Sequence, residues 1–283
     1  MNSFRDHIQF LQKKALQLRI QTLKMINRAQ NGSTGSALSA LDILVALYYG
    51  KLYDRPLMAY DTEKPGWEGQ DYFVLSKGHV CPAWYAVLAD LGFFDASELE
   101  HFSERNSLLQ GHPVKKIPGV VVGSGSPGHG FSGAMGLAMA LKMDHQKNHV
   151  FCLLGDGELQ EGQIWETAMC AARYKLDNFI AIVDDNGLQA GVLTRAVMSI
   201  DSVTDKFEAF GWKTIPVRNG HDFEELLSAF ERALEVQRRP VVLIASTISG
   251  CGVDFIENKP FYHNVALSDQ ELAAALGQLK ITN

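Results

Sequence analysis

Asp156 stands between Gly155 and Gly157, directly after the apolar run Val150–Leu154. Asn186 follows thirty residues later, just beyond a second apolar run, Phe179–Val183. A carboxylate and an amide oxygen are hard ligands of the kind Mg²⁺ or Ca²⁺ takes, with phosphate, water and a backbone carbonyl completing the shell. The flanking glycines let backbone N–H groups approach phosphate oxygens. An Asp in a tight turn and an Asn capping a helix would give the same pattern without chemistry. Gly123-Ser124-Gly125-Ser126-Pro127-Gly128 spells G-x-G-x-x-G, a dinucleotide fingerprint when it joins a strand to a helix. In that reading Asp156 binds a ribose hydroxyl, although a G-D-G turn is atypical there. Nine histidines are present. His79 in Ser-Lys-Gly-His, His112 in Gly-His-Pro and His263 in Tyr-His-Asn are the candidates for moving protons near neutral pH. His7, His101, His145, His149 and His221 read as surface or structural residues.

These residues need elements to bring them together. Phe4, Ile8, Leu11, Ala15, Leu18 and Met25 recur at helical spacing and predict a long amphipathic helix that stops near Asn31-Gly32. A second helix is predicted from about Ser39 to Tyr49, then a surface loop over 50–71. Tyr72–Leu75 reads as a short strand with Ser76–His79 as its exit loop. Strands are predicted at Val120–Val122, Val150–Leu154, Phe179–Val183, Thr214–Val217 and Val241–Ala245. Helices follow from about Phe131, over Gln163–Tyr174 and over Phe223–Val236. Alternating β and α with doubly apolar strands means α/β: a doubly wound parallel sheet with helices on both faces. The whole of 1–283 is expected to be a single domain with an N-terminal helical extension. In such sheets ligands sit beyond the carboxyl ends of the strands, and the motifs above all lie at such ends.

The 283 residues are 46% apolar and 20% charged, ordinary for a globular chain, and the net charge of −6 argues against a nucleic-acid partner. No run approaches the roughly 18 apolar residues of a membrane span, and charges interrupt every apolar stretch near the N-terminus. Four cysteines without a C-x-x-C pair fit reduced thiols in the cytoplasm.

Leu154-Gly155-Asp156-Gly157-Glu158-Leu159-Gln160-Glu161-Gly162, followed by Lys175 through Gln189, closely resembles the thiamine-diphosphate fingerprint of transketolases, and weaker resemblance covers nearly the whole chain. The resemblance implies that Asp156, Asn186 and the carbonyl of Leu188 hold Mg²⁺, or Ca²⁺, and that Gly155 and Gly157 meet the diphosphate. It implies that Gly125 accepts from the aminopyrimidine and Pro127 packs on that ring, where the family usually has Leu. His79, His112 and His263 would surround the reacting carbons, with His263 also touching the cofactor. Glu161 would couple two sites near a subunit interface, or be only an acid favoured at a helix N-terminus. His129 stands where the family usually has Gln and is expected behind the site.

Two departures bear on substrate. Ser33, in Gly32-Ser33-Thr34-Gly35, replaces a family histidine, and Ser249-Gly250-Cys251-Gly252 stands where a Lys often appears between glycines. The resemblance covers the diphosphate-binding part alone. It therefore implies one subunit of a split enzyme, α₂β₂ with a separate C-terminal transketolase-like chain, transferring a two-carbon ketol unit between sugars or sugar phosphates. Two rivals stay open: the α subunit of a thiamine-dependent 2-oxoacid dehydrogenase, and a non-catalytic cofactor-binding assembly protein.

Overall fold

Five strands form one parallel sheet in a computed structural model that describes residues 2–64 and 66–279. They are β1 (Tyr72–Leu75), β2 (Val150–Gly155), β3 (Phe179–Asp185), β4 (Lys213–Val217) and β5 (Val241–Ser246), in spatial order β1-β2-β3-β5-β4. Successive side chains on a strand point to opposite faces, and here each face fills its own core. Phe73, Leu75, Phe151, Leu153, Ile180 and Ile182 enter one. Val74, Cys152, Leu154, Phe179, Ala181 and Val183 enter the other. Because both faces are covered, the central strands read as unbroken apolar runs.

The α-helices longer than one turn are α1 (Asn2–Ala29), α2 (Thr34–Tyr49), α3 (Cys81–Asp90), α4 (His129–Met143), α5 (Gly162–Arg173), α6 (Val203–Ala209), α7 (Phe223–Leu234) and α8 (Asp269–Gln278), with a single turn at Thr194–Val197. The first core takes its helical side chains from α1, α2, α3 and α7, the second from α4, α5 and α6. Every residue of α2 from Thr34 to Tyr48 is buried, as expected of a helix apolar all round. It begins one turn earlier than the sequence suggests. Gly35 and three hydroxyl residues weaken local helix propensity there, and contacts with residues 263–265 hold the turn instead. The α1 stripe is buried from Ile8 onward, while Phe4 is exposed. α3, α6 and α8 are additional to the predicted elements; α8 starts with a capping box between Ser268 and Glu271.

The predicted strand Val120–Val122 does not form; that segment is bend and coil. Val120 is buried, while Val121 and Val122 pack against the second core without joining the sheet. β1 remains the sheet edge, where the Ser124 hydroxyl donates to the Leu75 carbonyl. The G-x-G-x-x-G sequence therefore has no strand before it. Within 50–71, Lys51–Leu52 pairs with Arg55–Pro56 as a short hairpin.

Candidate active site

The carboxyl ends of β1, β2 and β3 open into a cleft of about 210 Å³. Its lining includes His79, Gly125, Pro127, Gly155, Asp156, Gly157, Glu161, Leu188 and His263. These residues come from five separate stretches of sequence, so the fold brings together what the motifs only suggested. A larger groove of about 660 Å³, lined by Phe10, Tyr48, Tyr60 and Trp67, lies away from these strand ends.

Asp156 is buried, and its Oδ2 accepts from the Thr194 hydroxyl at 2.6 Å. Asn186 donates through Nδ2 to Ser39 Oγ at 3.0 Å, and its Oδ1 accepts from the Leu188 N–H at 3.0 Å. Each side chain is thus oriented while keeping an oxygen lone pair for another ligand. Burial raises the pKa of Asp156, Thr194 and Lys77 pull it down, and Asp184 raises it. Asp185 is pushed up to about 6, first by burial, then by Asp156, Asp184 and Asp201. This local excess of negative charge, presented by hard oxygen donors, fits a divalent cation. Gly157 is required by close approach: a Cβ there would lie 2.7 Å from Gln189 Cβ. The oxygen donors present therefore fit a divalent cation such as Mg²⁺, and Lys77 Nζ, 3.6 Å from where a Cβ on Gly155 would sit, puts a cation beside the G-D-G turn that a diphosphate would meet.

Three organising residues escaped the sequence reading. Lys77 Nζ lies 2.6 Å from Asp184 Oδ2, with both side chains buried. Asp184 also accepts from Ser39 Oγ at 2.7 Å and from the Thr247 hydroxyl. Charged residues at the ends of apolar strands were the available signal. Glu158, also buried, accepts from the Gly128 N–H at 2.7 Å, the Gly155 N–H at 3.2 Å and the Ser76 hydroxyl. It stitches the β1 exit, the glycine loop and the G-D-G turn together.

Three imidazoles converge at one end of the cleft. The His79 and His263 rings are 5.7 Å apart at 35°. His112 stands beside them, its Cδ2 being 3.0 Å from where a Cβ on Gly78 would sit and 3.7 Å from one on Gly125. Burial drives His79 well below its ordinary value, reinforced by Lys77, His263 and His112, and its Nε2 is buried without a hydrogen-bond partner. Burial, then Lys77, lowers His263 to about 4, and burial lowers His112. His79 and His263 are therefore neutral near pH 7, each able to donate and to accept a proton.

Other expected residues sit differently. His129 is exposed at the first residue of α4 and does not back the site. Glu161 is exposed at the cleft rim and makes no capping bond. Ser33 is buried and donates at 2.7 Å to Oδ1 of Asn264, the residue that follows the cleft-lining His263. His221 is structural: Nδ1 lies 2.7 Å from Asp42 Oδ2, and Arg19 binds the same carboxylate at 2.8 and 3.0 Å. Cys251 completes a close Asp42–His221–Cys251 group. The Ile248 N–H donates to His221 Nε2 at 2.8 Å, so the ring proton is on Nδ1. A metal on Nδ1 would force that proton onto Nε2, against the Ile248 N–H. The group is a tie between α1, α2 and the loops after β4 and β5. All four cysteines are unpaired.

The family model of the transketolase thiamine diphosphate binding domain matches residues 11–282. The chain belongs to the transketolase family. It is 38% identical over 271 residues to the 6-deoxy-6-sulfo-D-fructose transketolase subunit SqwG of Clostridium sp. (strain MSTE9), covering 95% of this chain and 96% of that one. It is 36% identical over 264 residues to an apulose-4-phosphate transketolase subunit of Phocaeicola vulgatus, covering 93% of this chain and 92% of that one. The transketolase structure from Campylobacter jejuni superposes with a TM-score of 0.89 at 32% identity, over 96% of this chain and 43% of that one. Transketolase membership removes the dinucleotide reading: the Gly123–Gly128 loop lines the cleft of a thiamine diphosphate domain. It also sets aside the 2-oxoacid dehydrogenase reading.

Proposed function

We propose that this transketolase-family chain is the cofactor-holding subunit of a two-chain enzyme that moves a two-carbon ketol unit from a ketose to an aldose. The observation that most supports this reading is the single cleft at the strand ends lined by Asp156, Gly157, His79 and His263, with His112 beside Gly78 and Gly125 of the same lining. The chain also has the extent of relatives named as subunits, while spanning about two-fifths of the one-chain transketolase structure it matches. Asp156, Asn186 and the Leu188 carbonyl would hold Mg²⁺, or Ca²⁺ in its place. The N–H groups about Gly155 and Gly157 would take the diphosphate, with Lys77 close by. Gly125 and Pro127 would meet the aminopyrimidine. When bound, thiamine diphosphate supplies the nucleophilic carbon that carries the ketol unit. His79, His112 and His263 would hold and move protons at the sugar hydroxyls and carbonyls, and Glu161 would lie near the subunit boundary.

The partner is a separate C-terminal transketolase-like chain, in an α₂β₂ assembly in the cytoplasm. The substrates are sugars or sugar phosphates. Ser33 offers no imidazole at the donor end, so ordinary ketose phosphates are expected to be poor donors. The test is co-purification with the partner chain, then ketol-transfer assays on each component and on the mixture. Activity confined to the mixture is expected. Turnover by the isolated chain at the rate of the mixture would overturn the two-chain reading, and a mixture that binds cofactor without turnover would favour the assembly-protein rival.

A further inference from the structure

The first turn of α2 is built from hydroxyl residues, and they face another loop. Ser33 Oγ donates to Asn264 Oδ1 at 2.7 Å and Thr34 Oγ1 to the Val265 carbonyl at 2.6 Å. Ser36 Oγ lies 3.2 Å from His263 Nδ1 and 3.3 Å from the His263 carbonyl oxygen. Gly35 allows the close fit: a Cβ there would come within 2.9 Å of the Tyr262 carbonyl oxygen. Side chains at a helix start usually cap its own N–H groups, yet Ser33 at the N-cap makes no such bond. The turn instead grips residues 263–265.

We propose that Ser36 is a positioning residue for His263, its hydroxyl engaging Nδ1 so that the ring is fixed and Nε2 is the nitrogen left to the cleft. The inference rests on the ketol-transfer reading for its catalytic consequence, but its geometry does not depend on it. A hydroxyl has one proton and accepts through its lone pairs. Ser36 either donates to Nδ1, or donates to the carbonyl and accepts from Nδ1–H. Both arrangements occupy Nδ1. Ser36 is fully buried, which shields the contact from exchange with water. His263 lines the cleft and is neutral near pH 7, so one nitrogen carries the proton and the other does not. Ser36 thereby decides whether His263 presents an N–H or a lone pair to the sugar. Asn264 and Val265, held by Ser33 and Thr34, keep the backbone from drifting.

The test uses Ser36→Ala, which removes one oxygen and places a better helix former in the turn. Ser36→Cys, similar in shape but a much weaker donor, is the second variant should the first fail to fold. Ser36→Thr, which keeps the hydroxyl, is the rescue. The first readout is the ¹⁵N chemical shifts of the His263 ring in the full chain without partner or cofactor. The wild type should show two well-separated ring nitrogens of one dominant tautomer. Ser36→Ala and Ser36→Cys should bring them toward an average, and Ser36→Thr should restore the separation. The second readout is steady-state kinetics of the assembled complex. There kcat should fall on the order of 10- to 100-fold, as for other partners that orient a functional imidazole, with KM nearly unchanged. Unchanged ring shifts in Ser36→Ala overturn the proposal, as does an active complex whose kcat is unaffected. A wild-type complex without ketol transfer defeats the functional reading alone, since the ring shifts report on Ser36 independently.

Discussion

Asp156 keeps one carboxylate oxygen free while Thr194 holds the other, and that free oxygen is what a cation would use. Asp156→Ala should weaken joint binding of thiamine diphosphate and Mg²⁺ to the assembled complex by about 2–3 kcal/mol, typical of a lost charged contact. Titration calorimetry measures it, and an unchanged affinity would return Asp156 to the role of a turn residue. His263 makes a pH prediction. Its imidazole titrates near 6.5 when unfolded but about 4 when folded. Between those values the unfolded chain binds more protons, so stability rises with pH and is lost as pH falls from 6.5 toward 4. At about 1.4 kcal/mol per pH unit, the loss is on the order of 3 kcal/mol, and His79 acts in the same direction. Asp185, raised to about 6, runs the other way: its contribution is present at low pH and lost as pH rises through 6. Comparing urea unfolding of wild type and His263→Gln at pH 7 and pH 4.5 cancels that opposing effect. The variant should lose less stability on acidification; parallel losses would show that His263 is not held neutral by the fold.

Elements meet through the Lys77–Asp184 pair, which joins the exit loop of β1 to the end of β3 across the intervening β2. Salt bridges buried this deeply contribute little net stability, but removing one partner leaves a charge stranded. Lys77→Met leaves Asp184 with only the Ser39 and Thr247 hydroxyls. The expected cost is about 3–5 kcal/mol, read as a drop in the urea midpoint at constant m-value. A loss below about 1 kcal/mol, the range of exposed pairs, would mean that water reaches the pair. Glu158 works at the same scale: its carboxylate gathers donors from three loops, so the G-D-G turn is a fixed floor under the cleft.

For the whole molecule, the uncovered surface matters as much as the cleft. Met143 at the end of α4, Met169 in α5 and Tyr174 just after it are 72%, 51% and 56% exposed. Met135 and Met139 lie half-buried on the same helical layer. Exposed apolar side chains on two packed helices mark a candidate association surface, and two copies meeting about a two-fold axis would cover it in both. The isolated chain is expected to self-associate, and Met169→Glu to shift it toward monomer. Sedimentation velocity distinguishes the two; a wild-type chain that stays monomeric at micromolar concentration would rule out this face as a self-association surface.

Patterns carried by contiguous residues were legible without a structure. The G-D-G turn, the Asn186 that follows β3, and the short contexts of His79 and His263 are local patterns. The strands Val150–Leu154 and Phe179–Val183 announce themselves because burial on both faces makes every position apolar. Pairings between distant residues were not legible. Lys77 and Asp184 are 107 residues apart, Ser36 and His263 are 227, and Asp42 and His221 are 179. No periodicity links them; only packing of helices onto the sheet brings their backbones within reach. Val120–Val122 errs for the same reason, since an apolar run shows that a segment is buried but not whether an edge strand is in register to pair with it. The neutrality of His79 and His263 was likewise decided by tertiary structure, because burial beside the Lys77 ammonium, not residue type, sets where an imidazole holds its proton.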